Sequence, residues 1–192
     1  LTTVSLLQNA IVGCWVAFIA FWAIAALRTK RTAQTLPLAS RLSYALPTLA
    51  GAWLIFKGAS APHPLGDRVL PHTAALAAVG LAITLAGLAL ALWARVTLGA
   101  NWSGQVTFKQ GHELIRHGPY AHVRHPIYSA ILLMLLGTAI SIGTLGALLG
   151  LPLIAVGIWL KLGQEEALMG EHFPDEYAAY RSRVKALVPG LL

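Results

Sequence analysis

The sequence predicts an all-α integral membrane protein with five transmembrane helices. Three observations carry that reading. Hydrophobic residues make up 57% of the 192 and charged residues only 11%, with a mean hydropathy of +0.68; a soluble domain carries about 45–50% apolar and about 25% charged residues. The apolar residues gather in long runs without charge. The basic residues, 14 Lys and Arg against 7 Asp and Glu, lie almost entirely on alternate connections between those runs. In such a chain the net charge of +7 reads first as topology, not as affinity for nucleic acid. Cys14 is the single cysteine, which excludes a disulfide scaffold.

A crossing needs roughly 20 apolar residues. The first run, Val4 to Leu27, is charge-free and rich in aromatics (Trp15, Phe18, Phe21, Trp22), too long for a signal h-region and with no small-residue cleavage site behind it. The second, Tyr44 to Phe56, is short, with Pro47 in its first turn and Lys57 placed to snorkel. The third spans Thr73 to Ala94. The stretch from Ile127 to Leu160 holds no charge across 34 residues. As one helix it would be about 50 Å long, so it must fold back. Gly143, Gly146, Gly150 and Pro152 are the available breaks, and the hairpin is expected to turn near Ser141–Thr144. Gly146 and Gly150 form a small-xxx-small pair that allows close helix approach.

Arg28, Lys30, Arg31 and Arg41 lie between spans one and two; Arg95, Lys109, Arg116 and Arg124 between three and four; Lys161, Arg181, Arg183 and Lys185 after five. Only Lys57 and Arg68 fall on the other side. This bias places the N-terminus outside and the 95–126 segment and the C-terminal tail in the cytoplasm. The alanine-rich spans are of a bacterial type, which suits a bacterial cell membrane. The outer loop with His63, Asp67 and His72 reads as an ordinary connector. In the tail, Gly170 is a plausible helix stop and Pro174-Asp175-Glu176 a helix start. Tyr177, Tyr180, Val184 and Leu187 then share one face of a short amphipathic helix.

Polar chemistry concentrates in the two cytoplasmic pieces. Lys161 and Glu165, at i and i+4, share a helix face. The stretch from Gly111 to Tyr128 holds His112, His117, His122 and His125, but their spacing matches no standard zinc pattern, and no metal is expected. Gly118-Pro119 and His125-Pro126 are turn dipeptides. Pro126 at a helix start leaves amides that favour an anion. No nucleotide-binding glycine loop, nucleophile elbow or HExxH occurs.

The string Gly118-Pro-Tyr120-x4-Arg124-His-Pro-x-Tyr128, an apolar hairpin, then Glu165-Glu166-x-Leu168-x4-Phe173-x3-Tyr177-x2-Tyr180, with Val184 and Pro189, resembles the isoprenylcysteine carboxyl methyltransferase family, which is related to phospholipid N-methyltransferases. The resemblance covers residues 101–190. It implies a membrane-embedded methyltransferase that uses S-adenosyl-L-methionine on a lipophilic acceptor, a prenylcysteine carboxylate or similar, entering from the bilayer. It divides the chain into substrate-shaping helices (1–94) and a catalytic region (95–192): cofactor segment 95–126, hairpin 127–162 and C-terminal cytoplasmic helix 163–192. The family's cofactor residues correspond to His112, Glu113, Leu114, Ile115, Tyr120, His125, Pro126, Ile127, Tyr128 and Glu165. Its substrate-contacting basic residue, arginine in eukaryotic members, corresponds to Lys161, which lacks the guanidinium fork. A glycine frequent in the family is replaced by Ala130. Lys161, Glu165 and Arg124 are the expected catalytic residues, with Arg124 either a second positioner or an anchor to lipid phosphate. Three other functions compete. A phospholipid amine methyltransferase has the same fold. A sterol-reductase-like enzyme would bind NADPH, with Lys109 and Arg116 near its 2′-phosphate, but is expected to have ten spans. A scaffold or transporter would carry mid-span charges, and none occur.

Overall fold

Thr2, Thr73 and Thr144 each stand just before a long apolar run. In the computed structural model, which describes residues 2–27, 32–35, 37–102, 107–109 and 114–192, each of them starts a helix. Their side-chain oxygens accept from the amides of Ser5, Leu76 and Ala147, satisfying one free donor at each start. The helices in chain order are α1 (Thr3–Ala26), α2 (Leu38–Lys57), α3 (Ala74–Leu98), α4 (Pro126–Ile142), α5 (Leu145–His172) and α6 (Pro174–Arg183).

α1, α3 and α5 are long and apolar enough to cross a bilayer. The prediction of five crossings is met only in part among the described residues. α4 is apolar but has 17 residues, about 26 Å of helix. α2 has 20 residues but opens with Ser40, Arg41 and Ser43, so its first turns are polar. The bundle is helical as expected; beside it, β1 (Thr32–Thr35) and β2 (Thr107–Lys109) pair antiparallel, with Thr35 opposite Thr107. This ribbon ties the connection after α1 to the one after α3, and β2 packs against α5. Segments this short carry no readable alternation. Nor does Gly170 stop a helix. α5 continues to His172, and the break comes at Phe173, where Pro174 disfavours helical backbone.

The hairpin turns at the expected place. α4 ends at Gly143, whose φ of +71° is a left-handed conformation that glycine adopts without strain. The loop between α2 and α3 is more than a connector. The amides of Val69 and Leu70 donate to the Gly143 carbonyl, and those of Leu145 and Gly146 donate to the carbonyls of Asp67 and Leu65. Arg68 donates to the carbonyl of Ile142 at 2.8 Å. The loop thus satisfies backbone groups that both hairpin helices leave open at their ends.

α4 lies between α3 and α5, with α1 against α3 and α2 against α5. A lipid-like surround gives helices no hydrophobic reason to associate, so close backbone approach and dispersion decide. The α2–α5 seam shows it. A Cβ on Gly51 would stand 2.5 Å from the Gly150 carbonyl oxygen, and one on Gly150 2.5 Å from that of Gly51. The partner of the Gly146/Gly150 pair is therefore α2. Gly163, later on α5, faces no atom within 4 Å. One chemical change should therefore have opposite signs along a single helix. Gly150→Ala is expected to cost about 1–3 kcal/mol through overpacking; Gly163→Ala should be neutral or stabilising by up to ~1 kcal/mol. Thermal unfolding of the two variants in one detergent gives the comparison.

Side-chain polar contacts fix the rest. Trp15 Nε1 donates to Thr138 Oγ1 at 3.0 Å, joining α1 to α4. Arg95, 3% exposed, donates to the carbonyls of Ala25 and Gly99 at 2.8 and 2.6 Å and lies over the Trp102 ring. It secures the end of α1 to the end of α3. A core of Ile55, Leu135, Ile154, Ile158 and Leu162 extends to Ala186 and Leu187 of the tail.

Candidate active site

At the basic end of the bundle, α4 starts where α5 runs out of apolar residues. The 3-10 turn Gly118–Ala121 and the 122–125 stretch lead into α4, and Pro126 occupies the first turn of that helix. His125 precedes it in a non-helical conformation. His125 and Tyr128 then stand nearly parallel, with ring centroids 5.7 Å apart. On α5, Lys161 and Glu165 share a face one turn apart, as their spacing predicts.

These pieces converge. The Tyr128 hydroxyl donates to Glu165 Oε1 at 2.5 Å, and His125 Nδ1 lies 3.6 Å from Glu165 Oε2. Lys161 Nζ lies 5.4 Å from the Tyr128 ring centroid and 5.6 Å from that of Tyr44 on α2, within cation–π range. His125 bridges the two acids, its Nε2 standing 3.1 Å from Glu166 Oε1. The side chain of His125 is 10% exposed and that of Glu165 24%, so the cluster is sheltered but reachable.

Glu166 faces the other way. Its Oε1 accepts from Arg124 Nε at 2.8 Å and Nη2 at 2.6 Å, and its Oε2 lies 3.3 Å from Arg181 Nε. Arg124, expected as a second positioner or a lipid anchor, turns its guanidinium, 8% exposed, into an internal ion pair and toward the carbonyl of Val184. The backbone just before α4 is itself paired. The amides of Arg124 and His125 are taken by the carbonyls of Lys185 and Ala186.

Other predicted residues fall as follows. Tyr120 and Pro126 are buried, and Leu114, Ile115 and Ile127 are half-buried. The Tyr120 carbonyl accepts from the Tyr180 hydroxyl at 2.5 Å, which docks α6 under the 3-10 turn. Burial pushes the hydroxyls of Tyr120 and Tyr177 well up and that of Tyr180 up to about 12, so all three remain protonated at neutral pH. His112 and Glu113 lie outside the described residues. Sequence reasoning gave no role to Tyr44, Ser129 or Glu166. The Glu-Glu pair was the available signal for Glu166; the carbonyls of the tail had none.

A helical membrane bundle with an acid, imidazole, phenol and lysine gathered at one end defines the class: an integral membrane protein with a sheltered polar site. The isoprenylcysteine carboxyl methyltransferase (ICMT) family matches residues 78–171, which hold the α3–α5 half of the bundle and all four of those side chains. Over those residues the chain is similar to that family. Over 102 residues it is 33% identical to a protein-S-isoprenylcysteine O-methyltransferase of Schizosaccharomyces pombe, a match covering 50% of this chain and 42% of that one. It is 28% identical over 114 residues to a probable protein-S-isoprenylcysteine O-methyltransferase of Oryza sativa subsp. indica, covering 58% and 60%. The chain thus spans about half the length of the curated relatives it matches. Its fold is similar to that of a solved eukaryotic intramembrane Ras methyltransferase, ICMT, with a TM-score of 0.51 and 23% identity over 77% of this chain and 52% of that one.

Proposed function

We propose that the protein is an S-adenosylmethionine-dependent membrane methyltransferase of the protein-S-isoprenylcysteine O-methyltransferase type. On this reading it works at the cytoplasmic face on a lipophilic acceptor that enters from the bilayer. The observation that carries the proposal is the meeting of His125, Tyr128, Lys161 and Glu165 where two membrane helices end.

The residues fit that cofactor in kind. Glu165 offers a carboxylate for ribose hydroxyls or an ammonium group. Tyr120 with the Leu114–Ile115 backbone suits an adenine. The amides of Arg124 and His125 are already bonded, which leaves the first turn of α4 after Pro126 for a carboxylate; Lys161 is a cation within the cluster. When bound, the cofactor supplies an electrophilic methyl group on a sulfonium.

The protein's own task is to hold groups and exclude water. Tyr128 fixes Glu165 through its hydroxyl and screens Lys161 with its ring. Lys161 sits where it can orient an anionic acceptor. A carboxylate acceptor is ionised at neutral pH and needs no base; an amine acceptor would have to give a proton to Glu165 or His125. The test supplies tritiated S-adenosylmethionine to the purified chain in nanodiscs, with a prenylated cysteine bearing a free carboxylate. Base-labile label in that acceptor is the expected result. Label in phospholipid amine instead would redirect the acceptor class, and label in neither, with no cofactor binding, would refute the assignment.

A further inference from the structure

The C-terminal segment after α6 runs alongside the start of α4 and spends its main-chain carbonyls there. The Arg124 amide donates to Lys185 O at 2.8 Å and the His125 amide to Ala186 O at 3.0 Å. Ser129 Oγ donates to Leu187 O at 2.6 Å, and the Arg124 guanidinium to Val184 O. Val123 pairs with Lys185 in parallel register. The segment is closed on itself, since the amides of Leu187 and Val188 both donate to Leu192 O, at 2.7 and 2.8 Å. Ala186 and Leu187 are buried in the core.

All these bonds flank His125. Its ring is held separately through Glu166 Oε1, which also receives two N–H groups of Arg124. One guanidinium therefore organises both supports: one edge grips the acid that touches the imidazole, and the other grips the carbonyl of the strap. A planar fork fixes direction in a way a lysine ammonium does not. Anchoring a tail would need only the burial of Ala186 and Leu187. The carbonyl pattern along residues 124–129 exceeds that need.

We propose that Val184–Leu187 and the Arg124–Glu166 pair form a positioning device that sets the His125 ring against Glu165 and so orders the cofactor site. Arg124, Glu166 and Ser129 are positioning residues on this account. Its link to the cofactor rests on the methyltransferase reading above; its link to His125 does not.

The test uses the full chain in nanodiscs with two mild variants, Arg124→Lys and Ser129→Ala. Imidazole 15N resonances of His125, assigned with a His125→Gln control, are recorded together with amide exchange at residues 124 and 125, melting temperature and calorimetric affinity for S-adenosylhomocysteine. Arg124→Lys is expected to shift the His125 resonances and speed exchange at both amides about tenfold. It should weaken S-adenosylhomocysteine about tenfold while the melting temperature moves little. Ser129→Ala should do the same more weakly. Unchanged His125 resonances in both variants overturn the proposal, as does an affinity loss no larger than the loss of folded protein. If the resonances move but the wild-type chain binds no S-adenosylhomocysteine, the device stands and the methyltransferase reading falls. If the wild type binds and the resonances stay still, the reverse holds.

Discussion

Glu165→Gln is expected to lower methyl transfer by about 100- to 1000-fold, the range seen when one charged or hydrogen-bonding group is lost from a sheltered site. The amide keeps the size of the side chain and removes its charge. Tyr128 then loses an ionic acceptor at 2.5 Å, the facing His125 loses an opposing charge, and Lys161 loses the acid one turn along its own helix. The side chain is 24% exposed, so a neutral amide there should not unfold the bundle. Single-turnover transfer and S-adenosylhomocysteine affinity should be measured together. If both fall, Glu165 holds the cofactor. If only turnover falls, it acts on the acceptor. Activity within about threefold of wild type would remove Glu165 from the site.

Glu166→Leu should be the most destabilising single change at this end of the molecule, at about 3–5 kcal/mol. Arg124 and Glu166 are each 8% exposed. Taking away the acid leaves a guanidinium out of water with its strongest partner gone, and the His125 ring loses its acceptor at 3.1 Å. The double variant Arg124→Leu/Glu166→Leu should recover part of the loss, because a buried pair replaced by apolar groups avoids both desolvation penalties. Denaturant unfolding of the three proteins in one detergent gives the comparison. A single-variant loss below about 1 kcal/mol would mean that the pair is wetter than its burial implies.

Much of the molecule was legible because it depends on neighbours in sequence. The hairpin turn follows from Gly143, the start of α6 from Pro174, and the shared face of Lys161 and Glu165 from helical spacing. The meeting of His125 with Glu165 was legible only through the motif order that resembles the family. Among the described residues α1, α3 and α5 are long and apolar enough to cross a membrane, while α4 has 17 residues and α2 begins among polar side chains.

Which of two adjacent glutamates turns to Tyr128 and which to Arg124 depends on the rotation of α5. Consecutive helical residues point about 100° apart. That rotation is set by backbone contact with α2 at Gly51 and Gly150, far along the chain from either acid. The strap and the loop between α2 and α3 act through main-chain carbonyls and amides, which every residue carries alike, so no pattern of residue types announces them. Local chemistry in the chain therefore determined a membrane-embedded helical protein and its roster of reactive side chains. Only packing between distant segments decided which of those side chains face one another, because facing is a property of helix rotation and main-chain docking, neither of which is written in residue identity.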